Sequence, residues 1–187
     1  MPDFVDDPNL FRAIGRVAAE SAQFDEVLRE MISELIDGAR TSWVLFEGQT
    51  SEWLSENFKA ILRETLKTEN YRPKFQSLFA DMGQLRALRN AVIHGTWVTA
   101  PVGGEPTEEY YATRPWGNAD KSTPLYYCMR SRMRKGFEER EFTPSDVDEL
   151  ADRIAATRQD IVDLYRELLE SLDWGTALAR WPSAPRG

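Results

Sequence analysis

Apolar residues along this chain recur in two rhythms, and the switch between them sets the architecture the sequence predicts. Leu10, Ile14, Val17, Ser21, Phe24, Leu28, Met31 and Leu35 are separated by steps of three and four, the spacing of a helix that buries one face. A helix over about residues 8–38 follows, with Gly38 as its stop. A second stripe of Leu54, Phe58, Ile61, Leu62 and Leu66 comes after Thr50 and Ser51, whose hydroxyls suit an N-cap. The stretch "TSWVLFEG" between these two helices fits neither rhythm, and "ENYRP" ends the second. A third helix is predicted from Lys74 to His94, with Phe75, Leu78, Phe79, Met82, Leu85, Leu88 and Val92 as apolar positions and Gly95 at its end.

The segments "TWVTAPVGGEPTEEYYATRPWG" and "TPLYYCMRSRMRKGFEEREFT" are rich in β-branched and aromatic residues and punctuated by Gly and Pro, which predicts three or four antiparallel strands. Helical spacing returns at "TPSDVDEL". Thr143 is placed to cap, Pro144 to open the helix, and Asp146 to answer from three residues on. Val147, Leu150, Ile154, Ile161, Leu164, Leu168 and Leu172 make its stripe, and the tail "WPSAPRG" reads as loose. Four amphipathic helices bury their stripes best against one another. The expected fold is mainly α: one domain over residues 1–187, a four-helix up-and-down bundle with a small antiparallel β insertion, residues 96–142, between the third and fourth long helices.

Composition narrows the classes. A 187-residue chain that is 42% hydrophobic suffices for one sizeable core. No apolar run reaches membrane-span length, and "MPDFVDDPNL" is acidic where a secretion signal is basic, so a cytoplasmic protein without a membrane partner is expected. The single cysteine, Cys128, rules out an internal disulfide and reads as a half-buried strand residue. One histidine and one cysteine supply too few ligands for a transition-metal centre, and no metal or cofactor is expected. The carboxylates Asp146, Asp148, Glu149 and Asp152 read as complements to the fourth helix's dipole and as a solvated face. A net charge of −8 argues against a surface that coats nucleic acid. Yet residues 84–140 hold nine basic against six acidic side chains, whereas 1–83 hold nine against 15 and 141–187 five against ten. The one net-positive third contains the only histidine, and it suits a small anion or a short RNA segment.

That histidine lies in "LRALRNAVIHGTW", late in the third helix. At 100° per residue from Met82, the apolar positions occupy about half of the circumference, and Arg89, at about 340°, falls near their middle. Arg86, Asn90 and His94, at about 40°, 80° and 120°, line its edge. An arginine on an apolar face needs a carboxylate, a phosphate or carbonyls to meet it, and Glu20 or Asp25 of the first helix can supply a carboxylate. His94 can serve as a cap, since a cation is favoured at a helix C-terminus. Arg130, Arg132 and Arg134 alternate in "MRSRMRK" and so share one strand face.

The segment "RNAVIHG", with Arg89, Asn90, three more residues and His94, resembles the R-x4-6-H motif of the HEPN superfamily. The resemblance extends to the setting, late in a long helix of an all-α bundle with another long helix to follow, while the β insertion is an addition. It implies a metal-independent endoribonuclease, by family association a toxin or phage-defence effector, with a composite active site at a homodimer interface and an antitoxin or other regulatory protein as a partner. Arg89, Asn90 and His94 would then be catalytic, and Arg86, Arg130, Arg132 and Arg134 would contact the RNA. An imidazole can exchange a proton near neutrality and a guanidinium can stabilise charge on phosphorus. Asn90 would orient the imidazole or bond a phosphate oxygen. The half-circle apolar arc, wider than one bundle needs, fits packing on a second copy. Two other readings stay open: a non-catalytic dimeric module that recognises a nucleotide or a partner protein, and a purely structural bundle with Arg89 paired internally.

Overall fold

The computed structural model describes residues 5–36, 46, 48–65, 70–99, 124–132 and 136–171, with backbone alone at 64, 65, 131, 132 and 136–138. Among them are four helices, α1 (Pro8–Ile36), α2 (Ser51–Thr65), α3 (Arg72–His94) and α4 (Pro144–Ser171). Between α3 and α4 lies an antiparallel sheet of β1 (Thr96–Thr99), β2 (Tyr126–Arg132) and β3 (Gly136–Phe142), in that order. The chain divides into two compact units, Met1–Phe24 with Met82–Ala156 and Asp25–Asp81 with Thr157–Gly187. The chain segments of α1, α3 and α4 contribute residues to both.

Helix boundaries follow local chemistry. The Asp7 carboxylate accepts from the backbone N–H groups of Asn9 (2.8 Å) and Leu10 (3.4 Å), so Asp7 caps α1 and Pro8 opens it. Gly38, the expected stop, lies outside the described residues. Thr50 caps α2, its Oγ1 accepting from the Trp53 N–H at 3.2 Å. Gly48 just before it has φ +74°, a left-handed conformation that glycine alone adopts freely. Helix α3 opens at Arg72, two residues before the Lys74 that the apolar rhythm marks, because that rhythm registers buried positions and the first turn is exposed. At the start of α4, Thr143 and Asp146 cap reciprocally: the Asp146 N–H donates to Thr143 Oγ1 at 3.2 Å, and the Thr143 N–H and hydroxyl donate to Asp146 Oδ2.

The first unit buries Leu10, Ala13, Val17 and Phe24 of α1, Met82, Leu85, Ala91 and Val92 of α3, Val147, Leu150, Ala151 and Ile154 of α4, and Tyr126, Cys128 and Phe142 of the sheet. The second buries Leu28, Met31 and Ile32 with Leu54, Phe58 and Leu62, Phe75 and Phe79, and Ile161, Leu164, Tyr165 and Leu168. Phe58 is its centre, with ring centroids 5.6 Å from both Phe75 and Phe79 and 5.9 Å from Tyr165. Ile14 and Leu35, expected in the first stripe, are half-buried, and Ala13 and Ile32 hold the core places beside them.

Burial along α3 changes direction between the units. In the second unit the buried positions, Phe75 and Phe79, lie at about 20° and 60° of the helical circumference. In the first, Leu85, Ala91 and Val92 lie at about 300°, 180° and 280°, with Met82 at the reference angle. The first-unit positions alone span about half of the circumference, and all of them are buried within the chain itself, so the width of the arc gives no surplus that must be covered by a second chain.

Candidate functional site

The last four carbonyls of a helix have no partner within it. In α3 the sheet supplies two. The Cys128 thiol donates to Ala91 O at 3.1 Å, and the Trp97 indole Nε1–H donates to Val92 O at 3.0 Å. Cys128 and Trp97 are themselves opposite each other across β1 and β2. Cys128 is 1% exposed, a core residue rather than the half-buried one expected, because its strand face is pressed onto the helix end. Trp97 also packs its ring on Phe142 at 5.7 Å. Gly95 sits inside this junction. A Cβ there would lie 2.6 Å from Ala91 O and would collide with Cys128 Sγ, so close approach is what demands glycine at the helix end.

With those carbonyls taken, His94 does not act as their cap. Its side chain is exposed, and among the described residues it forms no hydrogen bond or ion pair. Arg89 departs from expectation as well. Instead of lying in mid-core it is half-exposed, although Leu85 and Met82, whose directions flank its own around α3, are buried. Its Nη1 donates to Asn90 Oδ1 at 2.8 Å, and among the described residues no carboxylate pairs with it. The internal pair with Glu20 or Asp25 is therefore not formed. Asn90 is half-exposed and its oxygen is engaged by Arg89, so it does not orient the imidazole here. Arg86 is half-exposed on the same strip. Arg86, Arg89 and Asn90 thus form a ledge along α3 that leads to an uncommitted imidazole at its end.

Strand β2 carries further positive charge toward that end. Alternation puts Arg130 on the face of Tyr126 and Cys128. Thr96 is opposite Met129, so the register carried one residue further sets Arg130 across from Gly95. On its other side Arg130 is opposite Glu138 in the register of β2 and β3. Arg132 is opposite Gly136, and Arg134 lies outside the described residues. Of the three arginines, the structure brings Arg130 to the His94 end of α3.

The acidic residues of α4 do more than complement a dipole. Asp146 is buried in the cap. Asp148 pairs with both Arg12 and Arg16, at 2.8 Å to Arg16, and Asp152 pairs with Arg16, so α1 and α4 are tied within the first unit. These carboxylates raise the Arg16 pKa, so the guanidinium stays charged. Among the described residues no cluster of three or more His, Cys, Asp or Glu could hold a metal ion. The Tyr126 hydroxyl donates to Asp7 Oδ2 at 2.6 Å. That bond holds the Asp7 carboxyl below the usual range, and burial pushes the Tyr126 phenol up to about 12. Sequence reasoning passed over Asp7 and Trp97. The Asp7-Pro8 pair repeats the cap-then-proline signal of Thr143-Pro144 and was available to it, whereas nothing in the sequence marks the Trp97 contact.

No described helix is long and apolar enough to cross a membrane. Comparisons with family models, curated proteins and solved structures find no match to this chain, so the reading of the site rests on its own geometry.

Proposed function

We propose that this chain is a HEPN-type, metal-independent endoribonuclease: an up-and-down four-helix bundle that acts as a homodimer, with the α3 termini of two copies forming one cleft. His94 is the general acid or base and Arg89 stabilises charge on the scissile phosphate. The RNA 2′-oxygen attacks phosphorus, losing its proton, and the 5′-oxygen leaves and gains one, giving a 2′,3′-cyclic phosphate and a 5′-hydroxyl. Arg86 and Arg130 hold the backbone on either side, with Arg132 and Arg134 continuing that track. A toxin or phage-defence effector in the cytoplasm, restrained by an antitoxin or another regulatory protein, is the setting in which such an activity belongs.

The observation that carries this reading is that His94 is exposed and, among the described residues, without a hydrogen bond, while Cys128 and Trp97 satisfy the carbonyls it was placed to cap. A half-exposed Arg89 without a carboxylate partner among the described residues adds to it. Arg89 and His94 project about 140° apart around α3, which suits residues contributed to one phosphate by two copies better than by one. The test is cleavage of RNA in EDTA by purified protein, analysed for cyclic phosphate ends and repeated with His94→Ala, alongside light scattering. A strict monomer at micromolar concentration would remove the composite cleft, and undiminished cleavage by His94→Ala would remove the catalytic assignment.

The engagement of Asn90 by Arg89 favours a second reading, a non-catalytic module whose ledge recognises a nucleotide or a partner protein. Specific RNA binding without cleavage by the wild type is its signature.

A further inference from the structure

We propose that the cleft between α2 and the start of α3, in the second unit, binds a phosphate monoester of about mononucleotide size. The cavity measures about 360 Å³, within the usual span of small-molecule sites. Its floor is apolar, made by Leu62 and Phe75, and its rim carries Lys59, Arg63 and Arg72 against one carboxylate, Glu56. Three cations around one opening are unexpected on a chain of net charge −8.

Arg72 is the informative residue. It is the first residue of α3, whose first turn contains no acidic side chain. A cation at a helix N-terminus opposes the dipole, which favours negative charge there. Arg72 is exposed, and among the described residues it forms no hydrogen bond or ion pair, so folding gives no reason for a guanidinium at this position. An anion in the cleft does. It would meet Arg72 and the positive end of α3 together. Lys59 is already held at the rim, its ammonium 2.8 Å from Glu56 and 5.3 Å above the Phe79 ring. A phosphate monoester fits the whole set: its dianion answers the cations, its organic part covers Leu62 and Phe75, and its hydroxyl or amino groups can donate to Glu56. Every residue used belongs to the second unit and none to the Arg89–His94 segment, so this site is independent of the proposed nuclease.

The experiment is calorimetric titration of the full chain with adenosine monophosphate, glucose 6-phosphate, inorganic phosphate and adenosine. At least one monoester is expected to bind saturably below millimolar concentration, more tightly than inorganic phosphate or adenosine. Arg72→Gln should weaken that binding by roughly ten- to a hundredfold, the loss of one charge-assisted hydrogen bond, with an unchanged melting temperature. His94→Ala should bind as the wild type does. The proposal fails if neither monoester binds, if inorganic phosphate or adenosine binds as tightly as both, if Arg72→Gln is indifferent, or if His94→Ala abolishes binding.

Discussion

Replacing Gly95 with alanine adds a single methyl group at the junction of α3 and the sheet. Built on the native backbone, that carbon would lie 2.6 Å from Ala91 O and 3.5 Å from Met129 O, with Cys128 Sγ closer still. Ala91 O is a main-chain atom within a helix and Cys128 is 1% exposed, so neither can yield to a rotamer change. Overpacking of this kind costs about 1–3 kcal/mol, and a main-chain obstacle places Gly95→Ala near the top of that range. At roughly 2–4 °C per kcal/mol for a chain of this size, the melting temperature should fall by roughly 6–12 °C. Gly15→Ala is the control. It makes the same chemical change at an exposed helical site with nothing within 4 Å, where alanine should add about 0.5–1 kcal/mol. Adding Cys128→Ala to Gly95→Ala should recover part of the loss, since the thiol clash goes and the Ala91 O clash stays. Thermal melts followed by circular dichroism, with urea titrations for the free energies, measure all three. If Gly95→Ala and Gly15→Ala raised the melting temperature alike, the close approach of Cys128 to the end of α3 would be wrong.

His94→Ala should change stability by no more than about 0.5 kcal/mol, as expected for an exposed side chain without partners, and Arg89→Ala should cost about 0.5–1.5 kcal/mol for its bond to Asn90; a loss of about 3–5 kcal/mol for Arg89→Ala would reveal a stranded buried carboxylate instead. Tyr126 gives a pH dependence. Its folded pKa of about 12 lies above the ordinary value near 10, so the native state keeps a proton that the unfolded chain releases. Its contribution is complete below about pH 10 and is lost as pH rises toward about 12, by at most about 3 kcal/mol. Asp7 runs the other way, its lowered pKa giving stability that is present above the ordinary carboxylate range and lost as pH falls through the folded value. Denaturant titrations of Tyr126→Phe should show a smaller decline from pH 10 to 12, and an unchanged profile would count against the buried phenol. Arg16→Ala should cost less than about 1 kcal/mol, because its pairs with Asp148 and Asp152 are substantially exposed, and the cost should shrink in high salt.

The sequence by itself determined the helices and the N-caps of α2 and α4, because those depend on neighbours three and four residues away. The stripe from Val147 to Leu168 is buried at each expected position, and Thr143, Pro144 and Asp146 open α4 as their order requires. It also anticipated a small antiparallel sheet between the third and fourth long helices. Tertiary structure alone decided what those faces meet. Helical phase shows which residues share a side but not that the buried side of α3 shifts between Phe79 and Leu85, nor that Arg89, between the buried directions of Leu85 and Met82, stays half-exposed. The fate of His94 was equally hidden. Whether a terminal imidazole caps its helix depends on who else reaches the carbonyls, and the competitors, Trp97 and Cys128, come from strands whose register no local pattern fixes. Arg12 and Arg16 meet Asp148 and Asp152 across more than 130 residues for the same reason. Local spacing specifies an element's own faces, while contacts between elements depend on packing, which selects one arrangement among several that the same spacing allows.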